Sequence, residues 1–146
     1  MMRQSISRQR IAAFLGAIFR GAVAVALNPR LAPGDRDALA AEGRYAAWLG
    51  EDGAAAPATV ANTVSRSAWR TRVGAATAAA GATCSPEMPA FWLYSSGTTG
   101  LPKAVVHAHR VVPAVARCGI EVFGIDAADR LFAPSRLFFA YPLANS

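Results

Sequence analysis

The chain has 146 residues, a length typical of one domain, and carries a formal net charge of +6 at pH 7. An excess of positive charge can favour nucleic acid, but the arginines are scattered and do not alternate with aromatic residues, so we predict no nucleic-acid partner. The two cysteines and two histidines lack the spacing of a metal site, which predicts no metal ligands. Two cysteines allow at most one disulfide bridge, and the lack of a disulfide framework favours a cytoplasmic location.

A basic tail, residues 1–10, precedes an apolar segment over residues 11–27. Its first half has apolar side chains at helical spacing, at Ile11, Phe14, Leu15 and Ile18. We predict a helix that ends at Gly21 and a buried strand over residues 22–27. The segment also looks like a signal peptide or membrane anchor, which leaves a small secreted or membrane-tethered protein as an alternative. Arg20 and Gly21 interrupt it, and neither half reaches the roughly 20 apolar residues that span a bilayer, so we predict no membrane association.

The next part of the chain has weaker signals. Asn28-Pro29 ends the strand, and residues 35–42 are predicted to form a short helix with Leu39 on its apolar side. The elements that follow are predicted to be a strand over 45–49, a loop over 51–57, an alanine-rich helix over 63–80 and a linker over 84–89.

The last third begins with an aromatic segment, residues 91–94, that predicts a strand. Val105-Val106 predicts a second strand, which would pair with the first as a hairpin. A helix over 109–118 follows, limited by Pro113. The remaining predicted elements are a turn over 126–129 and strands over 130–134 and 137–141. The whole pattern predicts an α/β fold with an incomplete sheet and flanking helices.

The segment over residues 94–104 lies between the two strands of this hairpin. Its first ten residues read YSSGTTGLPK, and Lys103 is the only lysine in the chain. Glycines let the backbone approach a ligand closely, and successive N–H groups with hydroxyl donors form an anion-binding concavity. A lysine ammonium is a compact charge suited to a phosphate. The residues predicted to bind nucleotide phosphates are Ser95, Ser96, Gly97, Thr98, Thr99, Gly100 and Lys103.

The order of these residues differs from the Walker loop, which needs Gly, four residues and then Gly-Lys-Ser/Thr. It resembles the phosphate loop of the AMP-forming acyl- and aryl-CoA synthetases, whose signature is Ser/Thr-Ser-Gly-Thr/Ser-Thr-Gly-x-Pro-Lys-Gly. Every position matches except the last, where Ala104 replaces Gly. The helix, strand, Asn28-Pro29 and second helix resemble an upstream unit of the same superfamily. Residues 1–146 are therefore identified as part of the N-terminal domain of an adenylate-forming ligase.

The resemblance implies a two-step reaction that uses ATP, Mg²⁺ and CoA. A carboxylate attacks the α-phosphate of ATP to give an acyl-adenylate and pyrophosphate, and the CoA thiol then displaces AMP. Magnesium would bridge phosphate oxygens, while the loop would hold the β- and γ-phosphates. By resemblance the protein is an acid–thiol ligase. An alternative from a different class is a non-catalytic module that binds a nucleotide or anion through the loop alone.

A further segment points to the acid. Residues 137–145 read LFFAYPLAN and look like the benzoate-CoA ligase branch, where Leu-Phe-Phe-Ala-Tyr-Gly-Leu-Gly-Asn lines the aryl pocket. On that resemblance Ala140 and Tyr141 would contact an aromatic acid. Pro142 and Ala144 stand where the branch has glycine. Because proline fixes φ and removes an N–H, this pocket edge is expected to be displaced if the turn needs glycine.

The family has downstream segments that hold adenine, magnesium and ribose, and a mobile C-terminal domain that brings a catalytic lysine. These segments have no counterpart in the sequence, so no catalytic residue is assigned to it. We interpret the chain as an internal piece of a larger ligase.

We predict that the 146-residue chain alone forms no aryl-CoA from benzoate, ATP, Mg²⁺ and CoA. Loss of substrate positioning alone forfeits on the order of 7–11 kcal/mol of barrier lowering, which contacts to the leaving phosphates cannot recover. The measurement is benzoyl-CoA formation followed by chromatography, with a complete benzoate–CoA ligase as positive control. Steady turnover by the purified chain would contradict the prediction.

Overall fold

The computed structural model describes residues 8–95 and 102–130. Its four helices and five strands are, in chain order, α1 (Arg8–Phe19), β1 (Ala24–Ala26), α2 (Pro33–Glu42), β2 (Ala47–Gly50), β3 (Asn62–Ser65), α3 (Arg66–Ala75), β4 (Pro89–Ser95), β5 (Lys103–Ala108) and α4 (Val111–Phe123). They belong to two compact units, one made of the described residues up to Leu27 and from Ala80 onward, the other of Asn28–Ala79. The mixed α/β architecture confirms the predicted fold class.

The first helix, α1, is closed by Gly21, the glycine at which the sequence predicts its end. Gly21 has a φ of 73°, a left-handed conformation that costs little in a residue without a Cβ. Its N–H donates to the carbonyl of Ile18 at 3.0 Å, and the N–H of Ala22 donates to the carbonyl of Ala17 at 2.9 Å. These two bonds form a Schellman C-cap. The apolar segment over residues 11–27 is therefore a helix, a turn and a strand rather than one helix.

Within residues 8–95 and 102–130, no helix is both long enough and apolar enough to cross a membrane.

The first unit is built on a three-stranded sheet in the order β1-β4-β5. β1 lies parallel to β4, with Ala24 opposite Phe91, and β5 is antiparallel to β4. The core lies between α1 and one face of this sheet, and its buried members are Phe14, Ile18, Ala24, Ala90, Phe91 and Leu93. The rings of Phe14 and Phe91 are 5.6 Å apart between centroids and tilted by 58°, a favourable arrangement for two aromatic quadrupoles.

The last helix, α4, is longer than its sequence predicts. The sequence predicts a helix over 109–118 that Pro113 limits, but α4 extends to Phe123. Gly124, with a φ of 65°, forms its C-cap. The expectation was wrong because Pro113 lies in the first turn. An N–H in the first turn has no intrahelical partner, so a proline there removes no helical hydrogen bond. The turn predicted over 126–129 is present, since the N–H of Asp129 donates to the carbonyl of Asp126 at 3.2 Å.

The second unit contains the parallel pair β2 and β3, in register from Ala47 opposite Asn62 to Gly50 opposite Ser65. α2 buries Leu39 and Ala40, which confirms the apolar side predicted for this helix. The alanine-rich helix predicted over 63–80 is partly wrong, because its first residues belong to β3 and α3 ends at Ala75. Thr63 and Val64 are β-branched and favour a strand, and they pair with β2 instead of joining the helix.

The beginning of α3 is fixed by two polar side chains. The Ser65 hydroxyl accepts a hydrogen bond from the N–H of Ala68, as an N-cap residue does. Asp52, from the loop after β2, accepts the Ser67 hydroxyl proton at 2.6 Å and the Ser67 N–H at 2.9 Å. The hydrogen bond from the Ser67 hydroxyl, with that from its N–H, lowers the pKa of Asp52 below its ordinary value. The charged form of Asp52 is therefore the one that stabilises this helix end.

We predict that Asp52 makes the stability of the second unit depend on pH. Because its pKa is lowered on folding, its contribution is complete above about pH 4 and is lost as the pH falls through the lowered value. Asp52→Asn keeps an oxygen acceptor for Ser67 but should remove this acid-side loss, whereas Asp52→Ala should also lower the melting temperature at neutral pH. Thermal unfolding between pH 2 and pH 7, followed by circular dichroism, measures both effects.

Glu42→Gln serves as the control, since it removes one carboxylate from exposed Glu42 in the same unit. If the melting temperatures of the wild type and Asp52→Asn fell in the same way at acid pH, Asp52 would not be the source of the pH dependence.

Candidate functional site

The antiparallel hairpin of β4 and β5 places the two ends of the predicted phosphate loop side by side. β4 ends at Ser95 and β5 begins at Lys103, and these two residues are opposite one another in the register. The Ser95 hydroxyl donates to the Lys103 carbonyl oxygen at 3.4 Å. The chain therefore leaves the sheet and returns to it at adjacent points.

The structure describes only part of the predicted site. Ser95 and Lys103 are described and are brought together. The other predicted phosphate-binding residues and the predicted acid-binding residues lie outside the described ranges, and they are Ser96, Gly97, Thr98, Thr99, Gly100, Ala140 and Tyr141. The strand predicted over 137–141 and most of that over 130–134 lie outside these ranges as well.

The hairpin register decides which face of the sheet carries the lysine. Successive residues in a strand alternate between the two faces, and residues that are opposite in the register share a face. Lys103 and Ser95 are therefore on the same face as the pair Leu93 and Val105, one step further into the sheet. Leu93 belongs to the buried core, whereas Ser95 and Lys103 are exposed. The backbone of Lys103 thus lies at the edge of the core, and its charged side chain is exposed to solvent and accessible to an anionic ligand.

An aromatic contact holds the strand that carries Lys103. The imidazole of His107 stacks on Phe91 with 4.6 Å between ring centroids and 10° between ring planes. Phe91 is itself buried against α1. This role of His107 is not among the sequence predictions, although alternation along β5 places His107 on the face of Lys103 and Val105. That two-residue period was the signal that could have found it.

The end of the hairpin far from the loop is also anchored. The N–H of His109 donates to the carbonyl of Met88 at 2.9 Å, and the N–H of Arg110 donates to the carbonyl of Pro86 at 3.0 Å. The Arg110 guanidinium also pairs with the Glu87 carboxylate. These bonds continue the pairing beyond β5 and fix both strands that lead into the loop.

Ala104, which stands where the synthetase signature has glycine, fits its position without strain. It lies in β5 opposite Tyr94. Among the described residues other than glycine, only Arg44 has a positive φ. Because the backbone at Ala104 is one that any L-residue adopts, the missing glycine imposes no conformational cost at this point.

A metal ion would have few protein ligands in the described residues. No group of three or more His, Cys, Asp or Glu side chains that could hold a metal ion is present in residues 8–95 and 102–130. Mg²⁺ commonly keeps several waters and binds phosphate oxygens with one or two carboxylates, so a nucleotide could supply much of its coordination.

Comparison with known proteins identifies the family. The sequence profile of the family described as AMP-binding enzyme matches residues 5–145, and the chain belongs to this family. It is 40% identical to a 3-hydroxybenzoate–CoA ligase from Aromatoleum sp. (strain CIB), an alignment that covers 96% of this chain and 30% of that protein. The chain thus spans about 30% of the length of this curated relative.

Solved structures agree with this assignment. VinN in complex with 3-methylaspartate is 29% identical, with a TM-score of 0.83 over 94% of this chain and 41% of that one. The inhibitor-bound N-terminal domain of FACL13 from Mycobacterium tuberculosis is also 29% identical, with a TM-score of 0.79 over 92% of this chain and 37% of that one. The fold is therefore that of part of the N-terminal domain of the adenylate-forming ligases.

We predict that replacing Lys103 weakens the binding of pyrophosphate to this chain. Lys103→Ala should raise the dissociation constant roughly tenfold or more, since a hydrogen bond to a charged group contributes about 1.5–3 kcal/mol. Lys103→Arg should restore only part of the affinity, because a planar guanidinium does not replace a compact ammonium. Isothermal titration calorimetry at one fixed ionic strength measures the three constants.

Arg70→Ala is the matched control for net charge, because Arg70 is an exposed cation on α3. If this control weakened binding as much as Lys103→Ala, the effect would be one of overall charge rather than of a phosphate site. Equal affinity in the wild type and Lys103→Ala would remove Lys103 from the site.

Proposed function

We propose that this chain provides the phosphate-binding part of an AMP-forming ligase that activates an aromatic carboxylic acid and transfers it to CoA. In the first step a carboxylate oxygen bonds to the α-phosphorus of ATP, and the bond from that phosphorus to the bridging oxygen of the β-phosphate breaks. Pyrophosphate leaves with the electron pair. In the second step the CoA sulfur bonds to the acyl carbon, AMP leaves, and the thiol proton is lost.

The observation that carries this proposal is the closed hairpin with Ser95 opposite Lys103. The loop between these residues has the sequence of the synthetase phosphate loop, and the chain belongs to the AMP-binding enzyme family. The ammonium of Lys103, at the start of β5, can stabilise the negative charge that accumulates on departing pyrophosphate. Such preorganised charge is the main way in which enzymes stabilise phosphoryl transition states.

Ser95 has a separate part in this arrangement. A serine hydroxyl has one proton to donate, and that of Ser95 is directed to the Lys103 carbonyl oxygen. This long hydrogen bond links Ser95 to the start of β5. We propose that Ser95 and Lys103 belong to the phosphate site together with Ser96, Thr98, Thr99 and the backbone N–H groups of the loop.

The proposal includes ATP, Mg²⁺ and CoA as reactants or cofactors of the complete ligase. Bound Mg²⁺ would act as a Lewis acid on phosphate oxygens. The cytoplasmic location stays a prediction. A signal or anchor over residues 11–27 finds no support, because this segment is divided between α1, the Gly21 turn and β1.

The aromatic substrate is supported by the relative from Aromatoleum, whose name gives 3-hydroxybenzoate as its acid. The fold alone does not select this class, because VinN, which has a similar fold, is solved with 3-methylaspartate. Substrate choice must then come from pocket side chains. We propose that Ala140 and Tyr141 contact the aromatic ring of the acid, since they lie in the segment that resembles the benzoate-CoA ligase pocket.

We predict that pocket and loop substitutions have separable effects in a ligase that contains this segment together with the downstream motifs. Tyr141→Ala should raise KM for benzoate by up to roughly tenfold with little change for ATP, because an aromatic pair contributes about 0.5–1.5 kcal/mol. Lys103→Ala should instead slow benzoate-dependent exchange between pyrophosphate and ATP. Exchange of radiolabelled pyrophosphate measures both.

Two outcomes would count against parts of this scheme. Preference for a fatty acid over benzoate would overturn the aromatic pocket while leaving the phosphate loop in place. Exchange that does not depend on any carboxylic acid would overturn the ligase assignment.

A further inference from the structure

Lys103 and Ser95 form the last pair of the β4–β5 ladder, at the end next to the predicted phosphate loop. Both residues are exposed, and among the described residues their pair has a neighbouring pair on one side only. The end of a ladder opens more readily than its middle, because fewer buried contacts and neighbouring bonds hold it. The position of Lys103 therefore depends strongly on the next residue of β5, which is Ala104.

The side chain of Ala104 is on the wrong face of the sheet to touch a phosphate held by Lys103. Ala104 lies opposite Tyr94, one step further into the ladder than Lys103. Because successive strand residues alternate between the two faces of a sheet, its methyl group and the Lys103 side chain lie on opposite faces. Ala104 is also exposed, so its methyl group buries little surface. Any effect of Ala104 on phosphate binding must therefore act through the backbone.

The β-carbon of Ala104 restricts the backbone when the end of β5 is open. Glycine reaches more backbone conformations than alanine and loses more freedom when a strand forms. Alanine in place of glycine therefore stabilises a folded state whose backbone alanine adopts without strain. Ala104 meets this condition because it is part of the strand β5, and among the described residues other than glycine a positive φ is found only at Arg44.

We propose that Ala104, which stands where the synthetase signature has glycine, is a positioning residue that keeps Lys103 ordered before phosphate binds. A ligand that binds only the ordered form has its apparent affinity reduced by the fraction of chains in that form. Glycine at this position would lower that fraction, and pyrophosphate would then have to order Lys103 as it binds. This inference rests on the proposed function, because it takes Lys103 as a phosphate ligand.

The test compares Ala104→Gly and Ala104→Val with the wild-type chain. Ala104→Gly should raise the dissociation constant for pyrophosphate about two- to fivefold, the range expected for this exchange on an unstrained backbone. Ala104→Val should bind at least as tightly as the wild type, because a β-branched residue favours a strand and the position is exposed. Isothermal titration calorimetry measures the three constants. Amide hydrogen exchange, followed by NMR without ligand, should be faster in Ala104→Gly for the amides that join the ends of β4 and β5 at Ser95 and Lys103.

Ala108→Gly is the matched control, since it makes the same chemical change at the other end of β5, opposite Pro89. It should leave the pyrophosphate dissociation constant and the exchange beside Lys103 as they are in the wild type. If it weakened binding as much as Ala104→Gly, the effect would come from general destabilisation of the hairpin, and the proposal would be overturned.

The remaining outcomes separate this inference from the proposed function. Equal affinity in Ala104→Gly and the wild type, while Lys103→Ala still weakens binding, would overturn the inference and leave the phosphate site in place. Weaker binding by Ala104→Val would also overturn it, and this variant decides the matter if circular dichroism shows that Ala104→Gly does not fold. Wild-type binding that Lys103→Ala leaves unchanged would overturn the phosphate site and the inference together.

Discussion

The antiparallel pairing of β4 with β5 is the constraint on which the candidate site depends. At one end, Phe91 is buried against α1 and carries the stacked ring of His107. At the other end, the same register puts Ser95 opposite Lys103. Cross-strand pairs along one ladder are fixed relative to one another. The contact between Phe91 and His107 therefore also fixes the backbone position of Lys103, the only lysine of the chain. A shift of one residue would move Lys103 to the opposite face.

The strands on either side of the predicted phosphate loop are held at several points. The strands are held by burial, by the ladder and by the Glu87–Arg110 pair beyond it. The two strand ends on either side of the predicted phosphate loop are therefore fixed next to one another. Ala104 continues β5 in an extended conformation, so the loop joins the strand without the glycine that the synthetase signature has there. Strain at the loop exit is thus not required for this segment to fold.

Several apolar residues of α4 and β5 are exposed, among them Val106, Ile120 and Phe123. The core gathers between α1 and one sheet face, and α4 contributes to it through half-buried Val111. The remaining apolar residues of α4 contact no core within the described residues. The sheet that carries the candidate site on its β4–β5 hairpin is thus the same sheet that forms the core.

The sequence by itself determined the features that depend on local chemistry. Gly21 marked the end of α1 because a left-handed residue closes a helix, and the order of residues from Tyr94 to Lys103 identified the family. The tertiary structure decided what depends on distant partners. Pairing with β2 made β3 out of residues predicted as helix, and the hairpin register placed Lys103 on the core face. The sequence could not predict these points, since strand pairing depends on residues far apart in the chain.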